Sequence, residues 1–198
     1  IWKKGAMYRS LMATGFFFNL GVWVDKLIFW YYPGTGQHVI GPLNASVIYD
    51  FPIFLSYLTV IPGMAVFLVR IETDFVEYYT KFYDAVREGA TLEYIERMRN
   101  QMVYYVQRGL FDIAKIQAIT VLVVFVLGED LLRWMGISTL YLPLLYIDVV
   151  GAGLQVVMLG ILNVMFYLDL RRSVVGLTAT LLLTNAAFSA ISIYMGAA

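Results

Sequence analysis

The residues of this chain best able to do chemistry are polar side chains inside long apolar runs. In the run Leu11–Tyr32, Asn19, Trp23 and Lys26 recur at helical spacing on one face, and Asp25 stands about 100° from Lys26. In the run Tyr141–Tyr167, Asp148, Gly151, Ala152, Gln155 and Asn163 form a polar and small-residue stripe on a helix otherwise rich in Val, Leu and Met. A charged group at bilayer depth costs about 2.5–3.5 kcal/mol on insertion scales, so its default reading is contact with a solute. The expected substrate path is therefore Asn19, Asp25, Lys26, Asp148, Gln155 and Asn163. Each has a plainer alternative: Lys26 snorkelling to the interface while Asp25 pairs within the bundle, Gln155 bonding a neighbouring helix, and Gly151 and Gly153 only permitting close helix packing.

Arg70, Glu72 and Asp74 follow the run Phe51–Arg70 and are candidates for a cytoplasmic gate closed by ion pairing. Any helix leaving a membrane carries such charges, and that is the plainer reading. Asp50 before Phe51-Pro52 is expected to be a helix N-cap. Pro62-Gly63 in mid-run is expected to kink its helix.

Other chemistries find no residues. There is no Gly-rich loop ending in Lys-Ser/Thr, no G-x-S-x-G and no H-E-x-x-H. With no cysteine and a single histidine, His38, thiolate and multi-His metal sites are excluded. No catalytic residue, metal site or cofactor is expected, and the chain is read as not an enzyme.

The elements that must position these residues follow from composition. Of 198 residues, 61% are hydrophobic and 14% charged, with a mean hydropathy of +0.74. A soluble domain averages about 25% charged residues, so the solvent must be lipid. The formal net charge is zero, which supports no nucleic-acid face. A helix needs about 20 apolar residues to cross a bilayer. Leu11–Tyr32, Phe51–Arg70, Leu110–Leu127, Tyr141–Tyr167 and Val174–Tyr194 meet or approach that length. Strand alternation is absent from them, so the expected class is an all-α polytopic membrane protein with about five transmembrane helices.

Lys3, Lys4, Arg9, Arg70, Lys81, Arg87, Arg97, Arg99, Arg108, Arg171 and Arg172 fall on one side of that topology, while the opposite loops hold only Arg133. The positive-inside rule makes that side, and the first residue, cytoplasmic. The start, Ile1–Ser10, shows neither an initiator Met nor a signal-peptide pattern, so the chain is expected to belong to a longer one.

Residues 72–108 are the exception to tight turns. Phe75, Tyr79, Phe82 and Val86 form one apolar stripe and Leu92, Ile95, Met102 and Val106 another, with Gly89 as a stop and Thr91 as an N-cap. A cytoplasmic amphipathic helical hairpin is expected there. Three segments result: transmembrane helices in 1–71, the hairpin in 72–108, and three more transmembrane helices in 109–198. The two stripes pair with each other in the plainer reading, as a brace on the membrane surface. Tyr78, Tyr83, Tyr94, Tyr104 and Tyr105 fall off the stripes and would form a second face, with Tyr83 and Tyr94 as expected partner-docking residues.

The runs Gly15–Trp30, Ile61–Tyr79, Phe82–Ala90 and Leu140–Val156 resemble the Pel exopolysaccharide transporter family, PelG, and the similarity extends over nearly the whole chain. The resemblance implies a multidrug/oligosaccharidyl-lipid/polysaccharide (MOP) flippase fold, MATE-like, with two six-helix lobes around a central cavity in a bacterial inner membrane. Five spans and the hairpin would match most of its second lobe and the linker, the first lobe lying elsewhere in the chain. It also implies a hexosamine-rich polysaccharide of the biofilm matrix as cargo. The implied partners are inner-membrane and cytosolic Pel synthase components, including a glycosyltransferase.

Three competing functions are distinguishable from export of this polymer. An ion-coupled small-molecule antiporter of the same superfamily would exchange a proton at Asp25 or Asp148, but lacks a dense acidic cluster here. A membrane-embedded glycosyltransferase would need carboxylates on large outer loops, and these loops are short. A non-transporting scaffold for a polysaccharide synthase would tolerate neutral replacement of every polar residue of the path.

Overall fold

The computed structural model describes residues 9–195; Lys3 and Lys4, two of the charges used to orient the chain, lie outside the described residues. Helix α1 spans Arg9–Tyr31 and is followed by strands β1 (Gln37–Ile40) and β2 (Leu43–Ala45). Helices α2 (Val47–Leu58), α3 (Ile61–Val69) and α4 (Val76–Arg87) follow, with a π-helical turn over Arg70–Phe75 between the last two. Helix α5 runs over Leu92–Trp134, a 3₁₀ turn occupies Thr139–Tyr141, and α6 (Leu142–Tyr167) and α7 (Arg171–Tyr194) complete the described chain. Among the described residues, five helical stretches are long and apolar enough to cross a membrane. Large apolar side chains such as Phe16, Leu122, Val126, Leu154 and Phe188 are exposed on them, as lipid-facing positions require.

The chain forms two compact units, one ending at Phe51 and resuming at Met165, the other Pro52–Val164. In the first, α1 packs along α7: Gly21 lets the backbones approach, since a Cβ there would stand 3.2 Å from Leu182 N, and Asn185 Nδ2 donates to Gly21 O at 2.8 Å. Close approach through a small residue and an interhelical polar bond are the forces available where lipid is as apolar as leucine. In the second, Leu55, Val124, Leu132, Leu145 and Val149 form an apolar core, and α3, the π-turn and α4 all lie against α5.

Three local expectations change. Asp50 is not the N-cap, because α2 starts at Val47; its carboxylate reaches back to accept from the Ser46 N–H at 2.9 Å. Pro62 does not kink a continuous helix. The helix stops at Leu58, turns through Thr59 and Val60, and restarts with Pro62 in the first turn of α3, where a missing N–H costs nothing. A two-stranded hairpin also stands where only a loop was expected, with Gln37 opposite Ala45 and Gly41 at φ +56° in the turn.

The amphipathic arms are continuations of long helices. Helix α5 has 43 residues, about 65 Å at 1.5 Å per residue, roughly twice a 30 Å bilayer core. The helix is unbroken, so the Leu92 end continues along the axis of the segment that carries the apolar run Leu110–Leu127. Gly89 at φ +67° ends α4, and the Thr91 hydroxyl caps α5 by accepting from the Tyr94 N–H at 3.4 Å. The arms α4 and α5 are in contact, and Phe75, Ala85, Met98 and Met102 are buried while Val86 and Leu92 are exposed, so the stripes close only in part. Tyr78 and Tyr105 do not face outward as expected. Their rings stack at 4.2 Å across the arms, with hydroxyls 3.3 Å apart.

Candidate polar sites at membrane depth

Each unit carries its own polar cluster. In the first, Asp25 is 9% and Lys26 7% exposed. The Lys26 ammonium does not snorkel outward. It turns back along α1, donates to Val22 O at 2.9 Å and lies 3.5 Å from Asp25 Oδ1 and 5.8 Å from the centre of the Trp23 ring. Tyr49 on α2 donates its hydroxyl to Asp25 Oδ2 at 2.6 Å, and its ring stacks on Phe29 at 4.3 Å. One turn further, Trp30 Nε1 donates to Asp50 Oδ1 at 2.8 Å. The result is a neutral, hydrogen-bonded charge pair, the form in which ionised groups survive burial. Asn19 stays apart from it: it is exposed and its Nδ2 donates to Gly15 O on its own helix at 2.7 Å.

In the second unit the stripe on α6 runs from Asp148 through Gln155 to Asn163, about 22 Å along the axis at 1.5 Å per residue. Asp148 is half-buried. Gln155 accepts from the Tyr57 hydroxyl at a long 3.4 Å. Asn163 Nδ2 donates to Glu72 Oε1 at 2.6 Å.

Glu72 belongs to the π-turn, where one extra residue per turn re-aims neighbouring side chains to different sides. Arg70 Nη1 meets Asp74 Oδ2 at 2.9 Å, and Arg70 Nε meets Asp112 Oδ2 of α5 at 2.8 Å. The expected gate residues therefore bind α5 through Arg70 and α6 through Glu72. Gly109 makes room, since a Cβ there would come within 3.2 Å of Arg70 Cβ.

Two residues of this cluster, Asp112 and Gln117, are missing from the sequence-derived set. Gln117 is 2% exposed and donates Nε2 to Thr59 O at 3.1 Å, at the break between α2 and α3. It lies between two glycines: a Cβ on Gly63 would be 2.4 Å from Oε1 and one on Gly153 2.8 Å from Cγ. Both sit inside the run Leu110–Leu127, where the cost argument applied to Asp148 applies equally. Of the docking tyrosines, Tyr83 is half-buried with its ring 4.6 Å from Tyr79 and 5.2 Å from Phe82. Tyr94 is exposed, with the Arg97 guanidinium 5.9 Å from its ring.

Compared with known proteins, residues 1–198 match the family model PelG, described as "Putative exopolysaccharide Exporter (EPS-E)". No curated protein and no solved structure matches the chain.

Proposed function

The chain belongs to the PelG family of exopolysaccharide exporters, and from that membership we propose that it contributes a hydrophilic path by which a hexosamine-rich polymer of the biofilm matrix crosses the inner membrane to the periplasm. Asn19, Asp25 and Lys26 on α1 and Asp148, Gln155 and Asn163 on α6 contact the moving polymer in this reading. The observation that carries it is the α6 stripe, polar groups spread over about 22 Å of a helix that is otherwise apolar. A sugar chain presents hydroxyls along its whole length and needs donors and acceptors at successive depths. Arg70, Glu72 and Asp74 form the cytoplasmic gate, opening by exchange of the Asp112 and Asn163 contacts. The fold we infer is the second lobe of a MOP-type flippase, completed by a first lobe. Tyr83 and Tyr94 lie on arms that dock the glycosyltransferase and other Pel synthase components.

Gln155→Leu tests the path. The 3.4 Å bond to Tyr57 is too long to contribute much, so the variant is expected to melt within about 1 kcal/mol of the parent while secreting several-fold less polymer at matched protein level. Unchanged secretion would make Gln155 a packing residue and remove the carrying observation.

Orientation is tested separately. Among substituted sites in a cysteine-free background, Thr35→Cys and Ser138→Cys are expected to react with an impermeant thiol reagent from outside, the former once denaturant exposes it because Thr35 is buried. Glu88→Cys and Ser173→Cys should stay unlabelled in intact cells, as the distribution of Lys and Arg requires. Labelling of Glu88→Cys would invert the arrangement.

A further inference from the structure

The β1–β2 hairpin takes no part in the proposed path, yet it holds the apolar side chains Val39, Ile40 and Leu43 at 61%, 69% and 58% exposed. The segment Pro33–Ser46 contains no Asp, Glu, Lys or Arg. Where the hairpin lies decides what these side chains meet. Its base is fastened to the last turn of α1: Thr35 Oγ1 donates to Phe29 O at 2.7 Å and the Gly36 N–H to Tyr32 O at 2.8 Å. A Cβ on Gly36 would stand 2.0 Å from Trp30 O, so only glycine admits this approach. Its tip is fastened at the same level, because the Tyr31 hydroxyl donates to Pro42 O at 2.8 Å.

With base and tip both held at Phe29–Tyr32, the strands run across the end of α1 and do not project away from it. That level carries Trp30, Tyr31 and Tyr32, the residue types that collect at the membrane–water boundary. We propose that the hairpin lies in the bilayer interface at the end where α1 finishes, with Val39, Ile40 and Leu43 against the lipid acyl chains. Three exposed apolar side chains in a segment that carries no Asp, Glu, Lys or Arg fit the headgroup–acyl boundary. The outward N–H and C=O groups of a two-stranded ribbon need water or headgroups, which the boundary supplies and the hydrocarbon core does not. The placement rests on the reading that α1 and α7 cross the bilayer.

The test uses the full-length exporter, reconstituted in phosphatidylcholine vesicles with lipids brominated on the acyl chains and carrying an environment-sensitive fluorophore at Ile40→Cys or at Leu183→Cys, an exposed position on α7. Bromolipid is expected to quench both labels and aqueous iodide neither. If Leu183→Cys is quenched by lipid while Ile40→Cys answers to iodide, the hairpin stands in water and the placement is overturned with the spanning reading intact. If neither agent reaches Ile40→Cys, a protein surface covers it and the placement is likewise overturned. Loss of lipid quenching at Leu183→Cys would overturn the spanning reading and the hairpin placement with it.

Discussion

Asp25→Leu is expected to abolish polymer secretion and to destabilise the protein by about 3–5 kcal/mol, the cost of removing one member of a buried ion pair. The variant removes the carboxylate that lies 3.5 Å from the Lys26 ammonium, which is itself only 7% exposed. It also takes the acceptor from the Tyr49 hydroxyl. Lys26→Leu removes the ammonium beside Asp25 and leaves the Tyr49 hydroxyl as a donor to it. The pair has a diagnostic use, because replacing both residues by Leu removes the two buried charges together and leaves an apolar contact. Asp25→Leu with Lys26→Leu should therefore recover most of the lost melting temperature in detergent while secretion stays absent. Asp148→Leu should also abolish secretion, with the protein still inserted in the membrane. Secreted polysaccharide at the parental level from both Asp25→Leu and Asp148→Leu, at matched protein amounts, would end the assignment of these carboxylates to the path. Recovery of secretion in the double variant would assign the pair to structure alone.

Gly153→Leu should prevent the protein from accumulating, and Gly153→Ala should cost about 1–3 kcal/mol, the range for overfilling a packed interior. The cause is Gln117. Its Cγ would be 2.8 Å from the new Cβ, and the amide has little room to retreat because Oε1 already abuts Gly63 and Nε2 is held by Thr59 O. Shortening the obstacle relieves the clash: Gln117→Ala is expected to be destabilising in the parent but to make Gly153→Ala nearly neutral. This loss of the penalty is read by a double-mutant cycle on melting in detergent. Additive costs would show that Gln117 and Gly153 do not share this space, and normal accumulation of Gly153→Leu would show the helices to be farther apart than described.

The number of helices long and apolar enough to cross a membrane was legible in the sequence, because length and hydropathy are properties of one segment against one solvent. Thr91 and Gly89 were legible for a related reason: a cap and a left-handed stop satisfy their own helix ends and need no distant partner. Family membership was legible as well, from runs such as Gly15–Trp30 and Leu140–Val156. The polar residues on α1 and α6 were visible as exceptions to an apolar pattern, and the same exception at Asp112 and Gln117 was open to the same reasoning. Their partners were not. Periodicity fixes the face of a helix on which a residue stands, but which face meets which depends on how whole surfaces interlock. Only the tertiary structure brings Glu72 to Asn163, Arg70 to Asp112 and Tyr49 to Asp25. Only it turns Lys26 inward, since a carboxylate one residue away can hold an ammonium only after Tyr49 and Phe29 have closed water out. The hairpin shows the same division. Nothing in Gln37–Ala45 alternates as a strand should, and its form comes from a glycine turn and from bonds to Phe29, Tyr31 and Tyr32 that exist only once α1 has ended beside it.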